Sequence, residues 1–224
     1  MLHMRRLIIT LTLGCALVLA IPAGSLATLT EVGVIPATTP ETVPSCPTPS
    51  CEAVSRTTGF QVKVEANNNL ESAPREGTIV AWTIALGKPT AAQIKFFNAN
   101  EGGAASAGIA ILRAQKSPKL TYKLIGQSPV VPLEKYFGKT AQFPLTTTIQ
   151  VKKGDIVALT VPTWAPALAL GFGKGTSWRA SRPKGQCTTT GTQTTQVSIG
   201  ASAQYYCLYQ TARLTYSATL ISTP

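Results

Sequence analysis

The sequence predicts an all-β protein: an antiparallel β-sandwich of about ten strands, with one short helix near residues 89–100. Short runs rich in β-branched and aromatic residues recur along the chain, and Gly, Pro and Asn separate them. No helical periodicity longer than about three turns interrupts this pattern. The spacing of the runs is the spacing that a two-sheet sandwich requires.

Each predicted element depends on a local pattern. Apolar residues at positions 60, 62 and 64 alternate with polar ones, which indicates a half-buried strand. The run 77–86 (GTIVAWTIAL) is typical of a central strand and places Trp82 in the core. Pro89 suits the first position of a helix over 89–100, and the sequence EGG ends it. The other strands are predicted over 107–114, 121–128, 145–151, 155–161, 167–172, 176–181, 204–210 and 212–221.

Residues 1–27 have the features of a cleaved signal peptide. Arg5 and Arg6 precede an apolar run over 7–21, and the small residues Ser25 and Ala27 suit cleavage after position 27. The apolar run has 15 residues, whereas a membrane-spanning helix needs about 20. We therefore expect a protein that is secreted or associated with the cell envelope. A retained N-terminal anchor is the alternative.

Residues 28–50 are predicted to be a flexible spacer, and residues 51–224 a single β-sandwich domain. The spacer contains five prolines and six threonines and almost no charge, and such a composition cannot bury a core. We expect that deleting residues 28–44 changes the melting temperature little.

Four cysteines remain after residue 27, and in an exported chain this even number predicts two disulfides. Three pairings are available. The simplest joins Cys46 to Cys51 across a turn-like PTPS spacer, and Cys187 to Cys207 across a segment rich in Thr, Gln and Gly. A metal site is the alternative, but neither pair has the spacing of a zinc knuckle.

The composition excludes several kinds of site. After residue 27 the chain contains no His and one aspartate, Asp155. A Ser-His-Asp or Cys-His catalytic site and a His-ligated zinc are therefore ruled out, and the aspartate-rich loop of an EF-hand is missing. We predict no metal and no cofactor. Residues 28–224 carry 18 Lys and Arg against 9 Asp and Glu, a net charge of +9 that favours anionic partners.

Several strings after Cys46 resemble those of an uncharacterised group of secreted, mostly actinobacterial proteins of unknown function. They are CEAVSRTTGFQV, GTIVAWTI, IGQSPVV, KKGDIVALTVPTW, WRASR and CLYQTARLTY. The resemblance covers most of the chain after that cysteine. It implies a jelly-roll-like sandwich and secretion, and it transfers no active-site residue.

The main candidate site is the segment 173–187 (GKGTSWRASRPKGQC), which combines an aromatic residue with four basic ones and has no acidic residue. Its members are Lys174, Trp178, Arg179, Arg182 and Lys184. On a strand Trp178 and Arg179 point to opposite faces, so the five side chains cannot all share one. The segment allows two interpretations. One is a surface for an anionic polymer or glycan. The other, which we favour for the tryptophan, is a core residue beside solvated charges.

Two functions from different classes follow. The sequence favours a non-enzymatic secreted or envelope protein that binds an anionic wall polymer or polysaccharide. The alternative is an extracellular glycan hydrolase that uses two carboxylates, although the sequence brings no two together. Trp164, between two prolines, could cap the core or stack on a sugar. No nucleic-acid motif is present, and we expect no nucleic-acid partner. The candidate carboxylates are Glu65, Glu71, Glu76, Glu101, Glu134 and Asp155.

Overall fold

The strands form two main antiparallel sheets in a computed structural model that describes residues 27–35, 42–48, 50–188 and 194–222. The prediction of an all-β sandwich with one short helix is confirmed. A 3-10 turn covers Glu134–Tyr136. The other elements are β1 (Thr28–Val32), β2 (Val54–Val64), β3 (Asn67–Asn68), β4 (Gly77–Ala85), α1 (Ala91–Asn100), β5 (Ser106–Ala114), β6 (Thr121–Gln127), β7 (Val131–Pro132), β8 (Thr140–Val151), β9 (Ile156–Ala165), β10 (Leu168–Leu170), β11 (Ser177–Ala180), β12 (Ser202–Gln204), β13 (Cys207–Gln210), β14 (Ala212–Leu214) and β15 (Tyr216–Ser222).

The smaller sheet has the order β1-β15-β4-β8. Its central strand β4 carries Trp82, which is 1% exposed and stacks on Phe143 with 4.7 Å between ring centroids. The prediction of a buried Trp82 in a central strand is therefore confirmed. The alternation of buried and half-exposed residues along β4 turns one face of this sheet towards the larger one.

The larger sheet has the order β12-β6-β5-β9-β2-β11-β13, and it curls. Phe60 on β2 and Tyr122 on β6 are separated in the sheet by β5 and β9, yet their ring centroids are 5.2 Å apart. Tyr205 lies within 5.6 Å of both rings. Such contacts require the sheet to bend until its inner face closes on itself.

The two faces of the curled sheet bury two different cores. The main core fills the space between the sheets and includes Trp82, Trp164 and Trp178. The smaller core lies inside the curl, where Phe60 and Tyr205 pack with aliphatic residues of β5, β6 and β9. Residues that alternate along β2 and β11 thus face one core or the other.

The helix begins at Ala91, slightly later than the sequence predicted. Thr90 is its N-cap: the Thr90 hydroxyl accepts from the amide of Gln93, and the Gln93 side chain accepts from the amide of Thr90. This reciprocal capping box satisfies two amides that the helix cannot. Pro89 therefore precedes the cap instead of occupying the first helical position.

The predicted flexible spacer is wrong for residues 28–32 and 42–48, so we now expect deletion of residues 28–44 to lower the melting temperature. The Ser45 amide donates to the Leu168 carbonyl at 2.9 Å, and Cys46 is buried. β1 pairs with β15 from Thr28↔Ser222 to Val32↔Ala218, and Val32 is buried in the main core. The side chain of Glu31 accepts hydrogen bonds from Ser217 and Thr219 on β15. No local pattern indicates this pairing, and the hydrogen-bonding edge of β15 is what orders the segment. Residues 36–41 lie outside the described residues.

Both predicted disulfides are present. Cys46 is bonded to Cys51, and Cys187 is bonded to Cys207. The first closes a turn that packs beside α1, where Gln93 donates to the carbonyl of Pro47. The second ties the segment after β11 to the start of β13, so it fixes the part of the chain that carries the candidate basic residues.

Candidate functional site

The structure divides the candidate basic segment between the two faces of β11. This strand lies between β2 and β13, with Trp178 opposite Tyr209 and Arg179 opposite both Phe60 and Leu208. Paired residues in antiparallel strands share a face. Trp178 therefore points to the main core, and Arg179 points to the inside of the curled sheet.

Trp178 is a core residue. It is 6% exposed and stacks on Tyr209 with 4.7 Å between ring centroids. The indole also lies against Gly59, where a Cβ atom would come within 2.9 Å of the ring. This burial agrees with the core interpretation of Trp178, although the indole also lines a cavity together with Arg182 and Tyr209.

Arg182 is held in place by protein groups on the same side as Trp178. One Nη1 hydrogen bond goes to the hydroxyl of Tyr209, and that hydroxyl donates to the carbonyl of Cys187 at 2.7 Å. The guanidinium carbon lies 5.4 Å from the centre of the Tyr209 ring. Arg182 thus links β13 to the segment that holds the disulfide.

Lys174 stands apart from the other basic residues. It is exposed in the loop 171–176, where the Thr176 hydroxyl donates to the carboxylate of Glu65 at 3.1 Å. Gly175 also approaches Glu65 closely. The sequence segment contains no acidic residue, but the fold places this one beside it, so Lys174 does not extend the basic surface.

Arg179 has the strongest potential to bind an anion. Its Nη1 donates to the carbonyls of Tyr205 at 3.2 Å and Tyr206 at 2.7 Å. Among the described residues, its Nε and Nη2 have no hydrogen-bond partner. The two carbonyls fix the guanidinium, and the remaining donors are available to a ligand.

A groove of about 480 Å³ lies beside this guanidinium. Lys184 is exposed next to it, with its Nζ 5.9 Å from the centre of the Tyr206 ring. Tyr206 and Leu208 are 38% and 43% exposed. We call this the Arg179 groove, and its lining residues are Leu120, Arg179, Cys187, Tyr206 and Leu208.

Sequence reasoning found Arg179 and Lys184 but missed Leu120, Tyr206 and Leu208. Leu120 lies 59 positions before Arg179, and it reaches the groove because the Tyr205 amide donates to its carbonyl. The run QYYCLYQ over 204–210 contained a signal, since its exposed residues Tyr206 and Leu208 alternate with the buried Tyr205 and Cys207. A sequence alone does not show which of the two faces meets Arg179.

Most of the candidate carboxylates make structural contacts. Arg113 donates to Asp155 through both Nε and Nη2, each at 2.7 Å. Glu101 pairs with Arg56 at 3.2 Å. Glu71 differs, because it is 3% exposed and its Oε2 has no hydrogen-bond partner in the part of the chain that the structure describes. Burial raises the pKa of Glu71 to about 8, and Arg213 opposes this shift.

The carboxylates that border cavities are separate from one another. Glu52 and Glu71 line different cavities, and neither of them lines the Arg179 groove. Trp164 does not offer a face to a sugar either: it is fully buried, stacks on Phe97 and donates its indole N–H to Asn98 at 2.8 Å. Arg179 therefore provides the candidate binding group, because it lines cavities that place a cationic side chain beside apolar surface.

Comparison with protein-family models, with curated proteins and with solved structures found no match to this chain. Within the described residues, no group of three His, Cys, Asp or Glu side chains could hold a metal ion. In the same ranges, no helix is both long enough and apolar enough to span a membrane. The site is therefore interpreted from its own geometry.

Proposed function

We propose that this protein is a non-enzymatic binding module, secreted or held in the cell envelope, that binds an anionic wall polymer or polysaccharide. The observation that carries the proposal is the Arg179 guanidinium, which is fixed by two backbone carbonyls and keeps two donors without a protein partner among the described residues. It lies in a groove whose described lining includes no carboxylate. The binding residues of this proposal are Arg179, Lys184 and Tyr206.

Another arginine of the protein illustrates what this pair of donors binds. In Arg113 the same two atoms, Nε and Nη2, form a bidentate contact with the carboxylate of Asp155. Such a fork matches the two oxygens of a carboxylate or phosphate better than any neutral group. A uronic acid or phosphate unit of a polymer supplies these oxygens.

The surroundings of Arg179 suit a polymer with repeating charge. Lys184 is exposed near the Tyr206 ring, and the exposed Lys119 directly precedes Leu120, which lines the groove. Tyr206 and Leu208 offer half-exposed apolar surface on which a sugar ring can pack. The net charge of +9 for residues 28–224 steers the whole molecule towards anions.

An extracellular or envelope location supports this function. Two disulfides are compatible with an oxidising compartment. The apolar N-terminal segment is the basis for proposing export, and it lies outside the described residues. Wall polymers and acidic polysaccharides are the anions that such a protein meets at high density.

An array of carboxylated, phosphorylated and neutral polysaccharides tests the proposal. We expect the protein to bind anionic members at 0.1 M salt and to lose them near 1 M, because the Debye length falls from about 10 Å to about 3 Å. The double variant R179Q/K184Q should lose about tenfold in affinity. The control K95Q/K139Q removes the same charge from exposed lysines elsewhere and should bind almost normally.

Two results would contradict the proposal. One is equal binding by R179Q/K184Q and the wild-type protein. The other is retention of a neutral glycan with no dependence on salt or on either double variant.

The hydrolase alternative has one observation in its favour. A glutamate with a pKa of about 8 is protonated at neutral pH, as a general acid must be. We place this function second because, among the described residues, no other carboxylate lines the cavity that Glu71 borders. Measuring reducing ends released from the array polymers distinguishes the two functions.

A further inference from the structure

A second cavity, of about 480 Å³, lies inside the curled sheet and meets the Arg179 groove. The smaller core contributes the apolar part of its wall, through Phe60, Val62, Tyr122 and Ile156, and the polar residues Gln61, Asn69 and Ser72 also line it. We call it the inner cavity. Arg179 and Leu120 line both spaces, so the two spaces adjoin at these residues.

The volume and the chemistry of the walls are those of a small-molecule site. Such sites measure about 300–1,000 Å³ and combine apolar and aromatic walls with a few polar groups that fix orientation. Here two aromatic and three aliphatic side chains form the apolar part of the wall. The cationic group at the junction is Arg179, whose Nε and Nη2 have no partner in the described ranges.

A buried polar group also borders the inner cavity. Glu71 is 3% exposed, and its Oε2 lacks a hydrogen-bond partner among the described residues. An unsatisfied buried polar atom is costly unless a ligand or water completes it. Because the carboxyl is protonated at neutral pH, it does not repel an anion that enters.

The residue at the junction of the two spaces has an unusual backbone. Leu120 has φ of 61°, which is rare for a bulky residue. The Tyr205 amide holds this conformation by donating to the Leu120 carbonyl at 2.7 Å. Backbone strain of this kind concentrates at ligand sites. The strained leucine thus lies where the two spaces adjoin.

We propose that the inner cavity binds a small amphiphilic monoanion, with its oxyanion on the Nε and Nη2 donors of Arg179 and its apolar body against Phe60, Val62, Tyr122 and Ile156. A uniformly polar ion would leave the aromatic wall uncovered, and a neutral hydrocarbon would leave the arginine donors unused. This site goes beyond polymer binding and does not depend on it. The polymer and the small anion would nevertheless compete for Arg179.

Calorimetric titration with octanoate tests the site on the wild-type protein. We expect affinity to rise along the series acetate, butyrate, octanoate, because each added methylene is buried on the apolar wall. Octanol, which has the same chain and no charge, should bind about tenfold more weakly than octanoate. A series without dependence on chain length, or equal binding of octanol and octanoate, overturns the proposal.

Variants locate the site and separate it from the polymer groove. V62F fills the apolar wall and should abolish octanoate binding while leaving polymer binding intact. R179Q should weaken octanoate about tenfold, and K95Q should not change it. Thermal unfolding confirms that each variant is folded. If folded V62F binds octanoate like the wild type, the inner cavity is not the site. If V62F loses polymer binding and keeps octanoate binding, the assignment of octanoate to the inner cavity is also wrong.

Discussion

At the scale of single residues, Glu71 makes the stability of the protein depend on pH. Its pKa is raised by burial from 4.5 to about 8, so the folded state holds a proton that the unfolded state releases. The stabilisation that the folded state gains from holding this proton is fully present below pH about 4.5 and is lost as the pH rises to about 8. Over that window the free energy of unfolding should fall by up to about 1.4 kcal/mol per pH unit.

Urea unfolding at pH 5, 6.5 and 8 measures this effect. E71Q keeps the shape of the side chain and cannot ionise, so its stability should lose this dependence on pH. E76Q changes an exposed glutamate and should follow the wild-type profile. Identical pH profiles for E71Q and the wild-type protein would show that Glu71 does not titrate in this range.

Trp178 provides a second prediction at this scale, because the structure assigns it to the core. W178A removes a stacked, 6% exposed indole and should lower the free energy of unfolding by about 3–5 kcal/mol. Y206A removes a 38% exposed ring and should cost much less. Chemical denaturation checks both. A W178A variant of near-native stability would contradict the core assignment and reopen Trp178 as a binding surface.

At the scale of elements, β1 ties the start of the described chain to its end. V32A removes methyl groups from the main core and should cost about 2 kcal/mol. For a domain of this size that is about 4–8 °C in melting temperature. L29A, on the same strand but 66% exposed, is the matched control and should change little. If both variants melt like the wild type, β1 does not stabilise the sheet.

The two disulfides should differ in their stabilisation because they close loops of different length. Cys187–Cys207 spans 20 residues and Cys46–Cys51 spans 5. Chain entropy in the unfolded state then gives about 3 kcal/mol for the first and about 2 kcal/mol for the second. Replacing each pair by serine and measuring unfolding tests this order. Loss of Cys187–Cys207 should also weaken polymer binding, since Cys187 lines the Arg179 groove.

At the scale of the whole molecule, the structural features set by neighbouring residues were predicted better than the features set by residues distant in the sequence. Alternation along 176–181 correctly placed Trp178 and Arg179 on opposite faces. The even number of cysteines and the choice of the local pairing correctly predicted both disulfides. The predicted strand over 212–221 is instead two strands, β14 and β15, because the chain passes from a short ribbon with β10 to the smaller sheet.

The features that local patterns missed depend on distant partners. β1 is rich in threonine and exposed residues, and only its pairing with β15, almost 190 positions later, orders it. The contact of Phe60 with Tyr122 requires the sheet to curl, and no spacing in the sequence encodes that bend. The candidate site was therefore found in part: its charges come from one segment, and its apolar walls come largely from two others.

The most direct test of anion binding at Arg179 is a map of the binding surface by amide chemical shifts. The protein is titrated with a short oligogalacturonate, whose carboxylates probe the Arg179 fork. We predict saturable shifts at Arg179, Lys184, Tyr206 and Leu208, reduced by salt and small near Lys174. Saturable shifts confined to other surfaces, or none at Arg179 while the oligomer binds, would contradict the proposed site.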